Sequence, residues 1–212
     1  MGIISKGILG GFSGTVGTVI GGSWKGIDYM RSQPAKRQFN PTAAQQAQQE
    51  KFALVMRFQE SMVGLLRITF NSFANKMSGY NNAMSYNLKN AVTGTSSPYS
   101  IDYSLALISR GDLPNASGPA AAAGTAGNIN FSWTDNSGMG QALGTDKAIL
   151  VAYSNTLNLS IYTLAGADRS TGAAILNAAT FSGDTVETYI GFISEDGKSI
   201  ATSLYLGQVT VL

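Results

Sequence analysis

The stretch Asn128-Ile-Asn-Phe-Ser-Trp-Thr-Asp135 alternates polar and apolar side chains from Asn128 to Thr134. Successive side chains of an extended strand point to opposite faces of a sheet, so Ile129, Phe131 and Trp133 share one face. An apolar strand face that carries a tryptophan is typical of the core of a β-sandwich. We therefore predict a strand over residues 128–134 and place Trp133 in the core.

Around this strand, the C-terminal half of the chain is a series of short runs in which apolar side chains recur with a period of two. We predict strands at residues 103–109, 128–134, 147–154, 158–164, 173–177, 187–194 and 199–206, with an edge piece at 209–212. Glu195-Asp196-Gly197-Lys198 is a hairpin turn of the Asp-Gly type. The Ala/Gly-rich residues 114–127 are predicted as a loop. Strands and turns in this number predict an immunoglobulin- or fibronectin-like antiparallel β-sandwich over residues 99–212.

N-terminal to this region, the spacing of the apolar side chains changes from every second residue to the three-to-four-residue spacing of a helix. Residues 40–78 are predicted as one long helix, which begins either with Thr42 and Gln45 as a capping box or with Asn40 as the cap and Pro41 at the first helical position. Its apolar positions follow a spacing of four and three, with Gln59 filling one place, as expected for the seam of a packed or coiled helix. The seam consists of Phe52, Met56, Val63, Leu66, Phe70, Phe73 and Met77. A second helix over residues 80–92 would form a helical hairpin with the first.

The N-terminal region, residues 1–39, has glycine at nine of its first 26 positions. We predict a β-hairpin arm from residues 15–20 and 23–30, with Gly21-Gly22 as its turn. Its apolar side chains, predicted to be buried against a partner, are Trp24, Ile27, Tyr29 and Met30. The stretch is too interrupted for a membrane span or a signal peptide. It also lacks the G-x-x-x-x-G-K-[ST] spacing of a phosphate-binding loop.

The composition argues against most reaction chemistry. The chain has no histidine and no cysteine, which excludes Ser/Cys–His catalysis and zinc sites of the Cys/His kind. Charged residues are only 12% of the chain, about half the usual share. A surface this poor in charge is expected to be covered in part by a partner. We predict no enzyme activity, no cofactor and no metal.

The charges are distributed unevenly along the chain. Residues 1–92 carry a net charge of +7 and residues 93–212 a net charge of −5. Opposite charge on the two halves favours head-to-tail attraction between copies, although composition scatter explains it as well. Four basic residues lie among aromatic side chains near the N-terminus and could contact a nucleic-acid backbone; they are Lys25, Arg31, Lys36 and Arg37. The alternative is a solvated basic rim or a protein interface.

Four acidic residues of the C-terminal half raise the question of a calcium site: Asp184, Glu187, Glu195 and Asp196. They lack the spacing of an EF-hand. Asp184 and Asp196 fall in predicted turns, where Asp side chains commonly bond the local backbone. We therefore interpret them as turn residues.

Two segments resemble a known family. GILGGFSGTVGTVIGGSWKGIDYMRSQP, followed by NPTAAQQAQQEKFALVM, is similar to an uncharacterised protein family common in Bacteroidota, and the similarity continues into YIGFISEDGKSIATSLYLGQV. The Gly-rich WKG motif also resembles segments of phage-associated proteins. The resemblance implies no activity and no catalytic residues, and it implies an arm with helices followed by a β-sandwich. Gln49 stands where a basic residue is expected, which weakens the case for nucleic-acid contact at the helix.

Together these patterns predict an α+β protein with an arm and two-helix region at residues 1–98 and an immunoglobulin-like sandwich at 99–212. We expect a structural, self-assembling protein, a subunit of a phage particle or of an extracellular filament or shell, joined to itself through the arm and helices. The alternative is a binding module, for nucleic acid through the basic N-terminal region or for carbohydrate or a cell surface through the sandwich. No signal peptide is recognised, and the sequence leaves the location open, with the virion and assembly in the cytoplasm as the two alternatives.

Overall fold

The computed structural model describes residues 2–4, 7, 10–35, 40–71, 77–95 and 97–212. The chain divides into two compact units, Met1–Thr42 and Ala43–Leu212. The predicted boundary at 98/99 differs from this division, because the helices belong to the same unit as the sandwich. The mixed α+β class is confirmed.

The first unit is a four-stranded antiparallel meander in the order β1-β2-β3-β4. Its strands are β1 (Ile3–Ile4), β2 (Phe12–Val16), β3 (Val19–Trp24) and β4 (Ile27–Ser32). Two-residue turns join the longer strands. Gly17-Thr18 connects β2 to β3, between the paired residues Val16 and Val19, and Lys25-Gly26 connects β3 to β4, between the paired residues Trp24 and Ile27. Lys25 and Gly26 both have positive φ, as a type I′ hairpin turn requires.

The predicted turn at Gly21-Gly22 is wrong, because both glycines lie inside β3. A side chain at Gly21 would overlap the backbone oxygen of Phe12 on the neighbouring strand. At Gly22 the ring of Tyr29 lies over the backbone, with its hydroxyl oxygen 3.1 Å from where a Cβ would stand. These glycines therefore permit close approach within the sheet rather than a change of chain direction.

Three helices open the second unit: α1 (Ala43–Glu60), α2 (Val63–Thr69) and α3 (Gly79–Asn90). The single helix predicted over residues 40–78 is wrong, since the chain leaves helical geometry at Ser61-Met62 and again after Thr69. The hydrophobic side chains buried in the described part of this segment are Val55, Phe58, Met62, Leu65, Leu66 and Phe70. Of these, only Leu66 and Phe70 belong to the predicted seam. The second predicted helix is confirmed as α3, whose first turn is capped by Ser78 accepting from the Asn81 N–H at 3.3 Å.

Nine further strands lie in the part of this unit that the structure describes. Two short ones pair with each other, β5 (Val92–Thr93) and β6 (Ser100–Ile101). The others form two antiparallel sheets with the orders β11-β8-β7 and β10-β9-β12-β13. They are β7 (Ser117–Ala123), β8 (Asn128–Thr134), β9 (Lys147–Ser154), β10 (Leu159–Thr163), β11 (Ala173–Asn177), β12 (Thr185–Ile193) and β13 (Leu204–Thr210).

Three of the predicted strands, at 128–134, 147–154 and 173–177, have the observed bounds. The predicted loop at 114–127 is wrong in its centre, where the alanine run forms β7 and pairs with β8. The predicted strand at 103–109 is wrong too. There the side chain of Asn87 in α3 bonds the Leu107 backbone twice: its Nδ2 donates to the Leu107 carbonyl, and its Oδ1 accepts from the Leu107 N–H. The last strand begins at Leu204 rather than at residue 199.

Two hydrophobic cores lie on opposite faces of the sheet β10-β9-β12-β13. The first fills the space between the two sheets, with Trp133 packed edge-on against Phe192 at 5.4 Å between ring centroids. The second lies between the same sheet and the helices, where Phe58 and Leu66 pack in one cluster with Val151 and Tyr189. The helices therefore belong to the same folded body as the sandwich.

Candidate interaction surface

The N-terminal sheet leaves almost all of its side chains exposed. Among its described residues only Gly21 is buried. Its large apolar side chains stand open to solvent, among them Met30 at 72%, Ile27 at 70%, Ile3 at 69% and Trp24 at 68% exposure. All six residues of β4 are exposed. Large exposed apolar side chains grouped in one element are typical of a surface that another molecule covers.

The register of the strands distributes the predicted interface residues over both faces of this sheet. Trp24 lies opposite Ile27 and Gly22 opposite Tyr29, so Trp24, Ile27 and Tyr29 share one face. Met30 lies opposite Gly21, on the other face. The sheet thus presents an aromatic face and a second face that carries Met30.

Two of the four predicted basic contact residues belong to this sheet. Lys25 lies at the β3–β4 turn with its ammonium 5.8 Å from the centre of the Trp24 ring. Arg31 pairs with Ile20 on the aromatic face. Lys36 and Arg37 lie outside the described residues. The aromatic face therefore combines apolar rings with positive charge.

The predicted helix seam is divided between the surface and the core. Phe52 and Met56 are exposed by 45% and 43%, whereas Leu66 and Phe70 are fully buried in the core against the sheet. Val63 is half-buried, and Phe73 lies outside the described residues. The burial of Leu66 and Phe70 within their own chain leaves Phe52, Met56 and Met77, the last 48% exposed, as the accessible part of the seam among the described residues.

Phe52 and Met56 line a groove of about 360 Å³ between α1 and α3, together with Tyr80, Met84 and Leu88. The next position of the same stripe is Gln59, which is fully buried and has no hydrogen-bond partner for either amide atom. A buried unpaired amide is costly. Gln59 is therefore a weak point of the helix packing next to the groove.

A buried ion pair, which sequence reasoning missed, closes one end of the sandwich. Arg169 and Asp146 are both fully buried, and the Arg169 Nε lies 3.1 Å from Asp146 Oδ2. The guanidinium also donates to Asn136 Oδ1 and to the Pro114 carbonyl, each at 2.8 Å, and stacks 4.1 Å from the centre of the Phe192 ring. These contacts connect three loops, which is a structural role. Nothing in the spacing of Arg169 and Asp146 along the chain indicates the pair.

Glu187 lies on the face of β12 that meets the helices. Its carboxylate accepts from the Tyr205 hydroxyl at 2.6 Å and from the Gln208 amide at 2.9 Å. Burial raises the pKa of Tyr153 to about 12, and it is also the main cause that raises the pKa values of Tyr103, Tyr189 and Tyr205. Of these tyrosines, Tyr103, Tyr189 and Tyr205 also interact electrostatically with Glu187.

Asp196 bonds locally, as predicted, whereas Asp184 also accepts from two side chains that lie 30 and 28 residues earlier in the chain. Asp184 accepts from Ser154, from Thr156 and from the Thr185 N–H. Asp196 accepts from the Ser194 hydroxyl at 2.6 Å and from the Lys198 N–H at 3.1 Å, and these bonds lower its pKa to about 2. Within the described parts of the chain, no three acidic side chains are grouped closely enough to hold a metal ion.

A cavity of about 480 Å³ lies at the end of the sandwich near the Asp196 turn. Leu113 and Leu143 supply its apolar lining, and Glu195 and Asp196 lie at its acidic side. Its described lining contains no aromatic ring.

None of the helices that the structure describes has both the length and the apolar character needed to cross a membrane.

Comparison with known proteins places the chain in a family. The model of the family of unknown function DUF6266 matches residues 11–207, so the chain belongs to this family. A solved structure, the fibronectin type III domain of human collagen alpha-1(XX) chain, is 13% identical, with a TM-score of 0.33; the match covers 47% of this chain and 87% of that one. No curated protein matches. The predicted membership of a family without a known function is confirmed.

Proposed function

We propose that this protein is a structural, self-assembling subunit whose copies are joined through the N-terminal sheet. The observation that supports this is the exposure of the sheet: Trp24, Ile27 and Met30 are each about two-thirds exposed or more. A sheet gains stability mainly by burying one apolar face, and this sheet has no buried face among its described residues. A partner surface would supply the missing burial.

Charge favours another copy of the chain as that partner. Residues 1–42 carry five Lys/Arg and one Asp, a net charge of +4, whereas residues 93–212 carry a net charge of −5. Opposite net charges on two regions of one chain attract different copies to each other. Phe52 and Met56, exposed in the groove between α1 and α3, offer a second apolar contact.

The assembly is proposed to be a phage particle or an extracellular filament or shell. The resemblance of the Gly-rich WKG segment to phage-associated proteins supports the first, and the low charge of the chain suits any densely packed assembly. Electron microscopy of the purified protein distinguishes a ring, a filament and a shell directly.

The experiment that tests self-assembly is light scattering over a range of protein concentrations, on the wild type and on Trp24→Ala. We expect the wild type to form oligomers and Trp24→Ala to weaken association by 2 kcal/mol or more, about 30-fold, as for a central aromatic residue of an interface. Ile175→Ala is the matched control, since Ile175 is 69% exposed on the sandwich and its truncation should leave association unchanged. A wild type that stays monomeric at every concentration, without particles on grids, contradicts the proposal.

A nucleic-acid binding module is the second candidate, favoured by Arg31 on the same face as Trp24 and Tyr29. Bases stack on aromatic rings while cations neutralise phosphates. Binding of single-stranded DNA that weakens steeply with salt and is lost in Arg31→Gln would support this candidate. Binding that is absent, or insensitive to salt, would remove it.

A further inference from the structure

The outer edge of β4 presents unpaired backbone groups in a specific pattern. In the order β1-β2-β3-β4, strand β4 is the last, and no strand of the described residues pairs with its outer side. Backbone groups of alternate residues point to alternate edges of a strand. The two-residue turn makes Trp24 and Ile27 a bonded pair, and the Gln33 N–H donates to the Thr18 oxygen at 2.7 Å. Odd-numbered residues of β4 therefore bond β3, and even-numbered residues face outward.

The outward backbone donors of this edge are limited to three. Asp28, Met30 and Ser32 carry outward N–H groups, and the next even-numbered residue is Pro34, which has no N–H. In the other direction, residue 26 belongs to the turn. The edge is thus a ladder of three donors with Met30 at its centre.

We propose that β4 of one copy pairs antiparallel with β4 of a second copy about a two-fold axis at Met30; this inference rests on the proposed self-assembly. When two copies of one strand pair about a two-fold axis perpendicular to the sheet, the numbers of any two residues that lie opposite each other add up to the same sum. Opposite residues share a face of the sheet, and faces alternate along each strand, so this sum must be even. The sum of 60 places Met30 opposite Met30 and Asp28 opposite Ser32. It is the one register in which all three donors of each copy lie opposite residues of β4 itself, which gives a ladder of six backbone hydrogen bonds.

Side-chain pairing favours the same register. With Met30 on the axis, Tyr29 of one copy lies opposite Arg31 of the other, and a guanidinium beside an aromatic ring is a favourable pair. Asp28 lies opposite a serine hydroxyl. Shifting the register by two residues in either direction places one donor of each copy opposite residue 26 or 34, outside β4. A shift to the sum of 62 also places Arg31 opposite Arg31. Like charges directly opposite each other destabilise a sheet.

The pairing also extends the aromatic face. Because the axis is perpendicular to the sheet, the face that carries Trp24, Ile27 and Tyr29 continues onto the same face of the second copy. The two four-stranded sheets become one of eight strands, with no exposed edge at the junction. Exposed edge strands tend to pair with strands of other molecules. The junction covers β4, the longer of the two edge strands β1 and β4.

The test uses the absence of cysteine from the chain. We would make Met30→Cys, Tyr29→Cys, Asp28→Cys and Ser32→Cys, with Ser182→Cys as an exposed control on the body, and measure the rate of disulfide dimer formation under mild oxidation. In the proposed register the two Met30 Cα atoms are about 5.5 Å apart, within the range that a disulfide bridges. Two Asp28 Cα atoms are about 14 Å apart, four residues along the strand.

We expect Met30→Cys to cross-link on the order of 100-fold faster than Ser182→Cys, since a millimolar effective concentration replaces micromolar protein. Asp28→Cys and Ser32→Cys should each cross-link slowly alone and quickly when mixed. An oligomeric wild type in which Tyr29→Cys cross-links fastest, or in which Met30→Cys matches the Ser182→Cys control, overturns the pairing and leaves self-assembly standing. A monomeric wild type with uniformly slow cross-linking overturns both.

Discussion

The two units of this chain use the same antiparallel strands and differ in what covers them. Strand β12 has eight of its nine residues buried, because the second sheet lies on one face and the helices on the other. Strand β4 has all six residues exposed, although four of them are Ile27, Tyr29, Met30 and Arg31, side chains that commonly contribute to interfaces. The comparison teaches that apolar content alone does not make a core. A core needs a second layer, and the described residues of the first unit form a single layer.

The largest expected effect removes the buried charge that connects the loops of the body. Arg169→Ala leaves Asp146 charged, fully buried and without its cation, and it removes the donors to Asn136 and Pro114. We expect the free energy of unfolding to fall by about 3–5 kcal/mol. Chemical denaturation followed by tryptophan fluorescence measures it. The control is Lys198→Ala, which breaks the exposed pair with Asp196 and should shift the denaturation midpoint very little. Equal losses of unfolding free energy in the two variants would show that the buried network stabilises the body no more than the exposed pair does.

The next effect compares one apolar truncation in each unit. Leu66→Ala in the core beneath the helices should lower the free energy of unfolding of the body by about 2–5 kcal/mol through lost burial and a cavity. Ile27→Ala, at 70% exposure, should leave that free energy unchanged and weaken association instead. Denaturation and light scattering on the same samples separate the two outcomes. If Ile27→Ala destabilised the body as much as Leu66→Ala, the N-terminal sheet would be part of the folded core and the contrast between the units would fail.

The smallest effect concerns high pH and is confined to the body. The pKa of Tyr153 is raised to about 12 by burial, while an unfolded tyrosine ionises near pH 10. The native state therefore retains the proton between about pH 10 and 12, and the unfolded state loses it. This contribution to stability is complete below about pH 10 and is lost as the pH rises toward 12, at about 1.4 kcal/mol per pH unit for each such tyrosine. Denaturation at pH 8, 10 and 11 measures the slope, which Tyr153→Phe should reduce; an unchanged slope in that variant would exclude Tyr153 as its source.

Local patterns predicted the parts of the fold that local physics controls. The alternation of Ile129, Phe131 and Trp133 predicted β8 with its bounds, and the Asp-Gly pair predicted the turn at Asp196, where the Gly197 N–H donates to the Ser194 oxygen at 2.8 Å. The prediction of one continuous helix was wrong because Met62, in the turn between α1 and α2, is fully buried in the core. Burial against the sheet stabilises this break more than the regular spacing of Met56, Val63 and Leu66 stabilises a continuous helix. The alanine run of β7 failed because alanine has little preference for strands, and its pairing with β8 decided its conformation.

The candidate surface was predictable in its members and not in its geometry. Trp24, Ile27 and Tyr29 were recognisable from an apolar stretch in a glycine-rich segment. Met30 and Tyr29 lie on opposite faces because side chains alternate along a strand. That Trp24 joins the face of Ile27 and Tyr29 follows only from the register of β3 and β4, which the two-residue turn at Lys25-Gly26 sets. A turn with one residue more or fewer would have placed Trp24 on the face of Met30.

By itself the sequence determined the α+β composition, the alternating strands of the sandwich, the shortage of charge and the lack of histidine and cysteine chemistry, because each depends on neighbours along the chain or on counts. Only the tertiary structure decided that the helices cover the sandwich, that Arg169 meets Asp146 in the interior, and that β4 has a free edge centred on Met30. These depend on residues far apart in the chain, whose contacts are set by the strand order and the competition of each segment for burial.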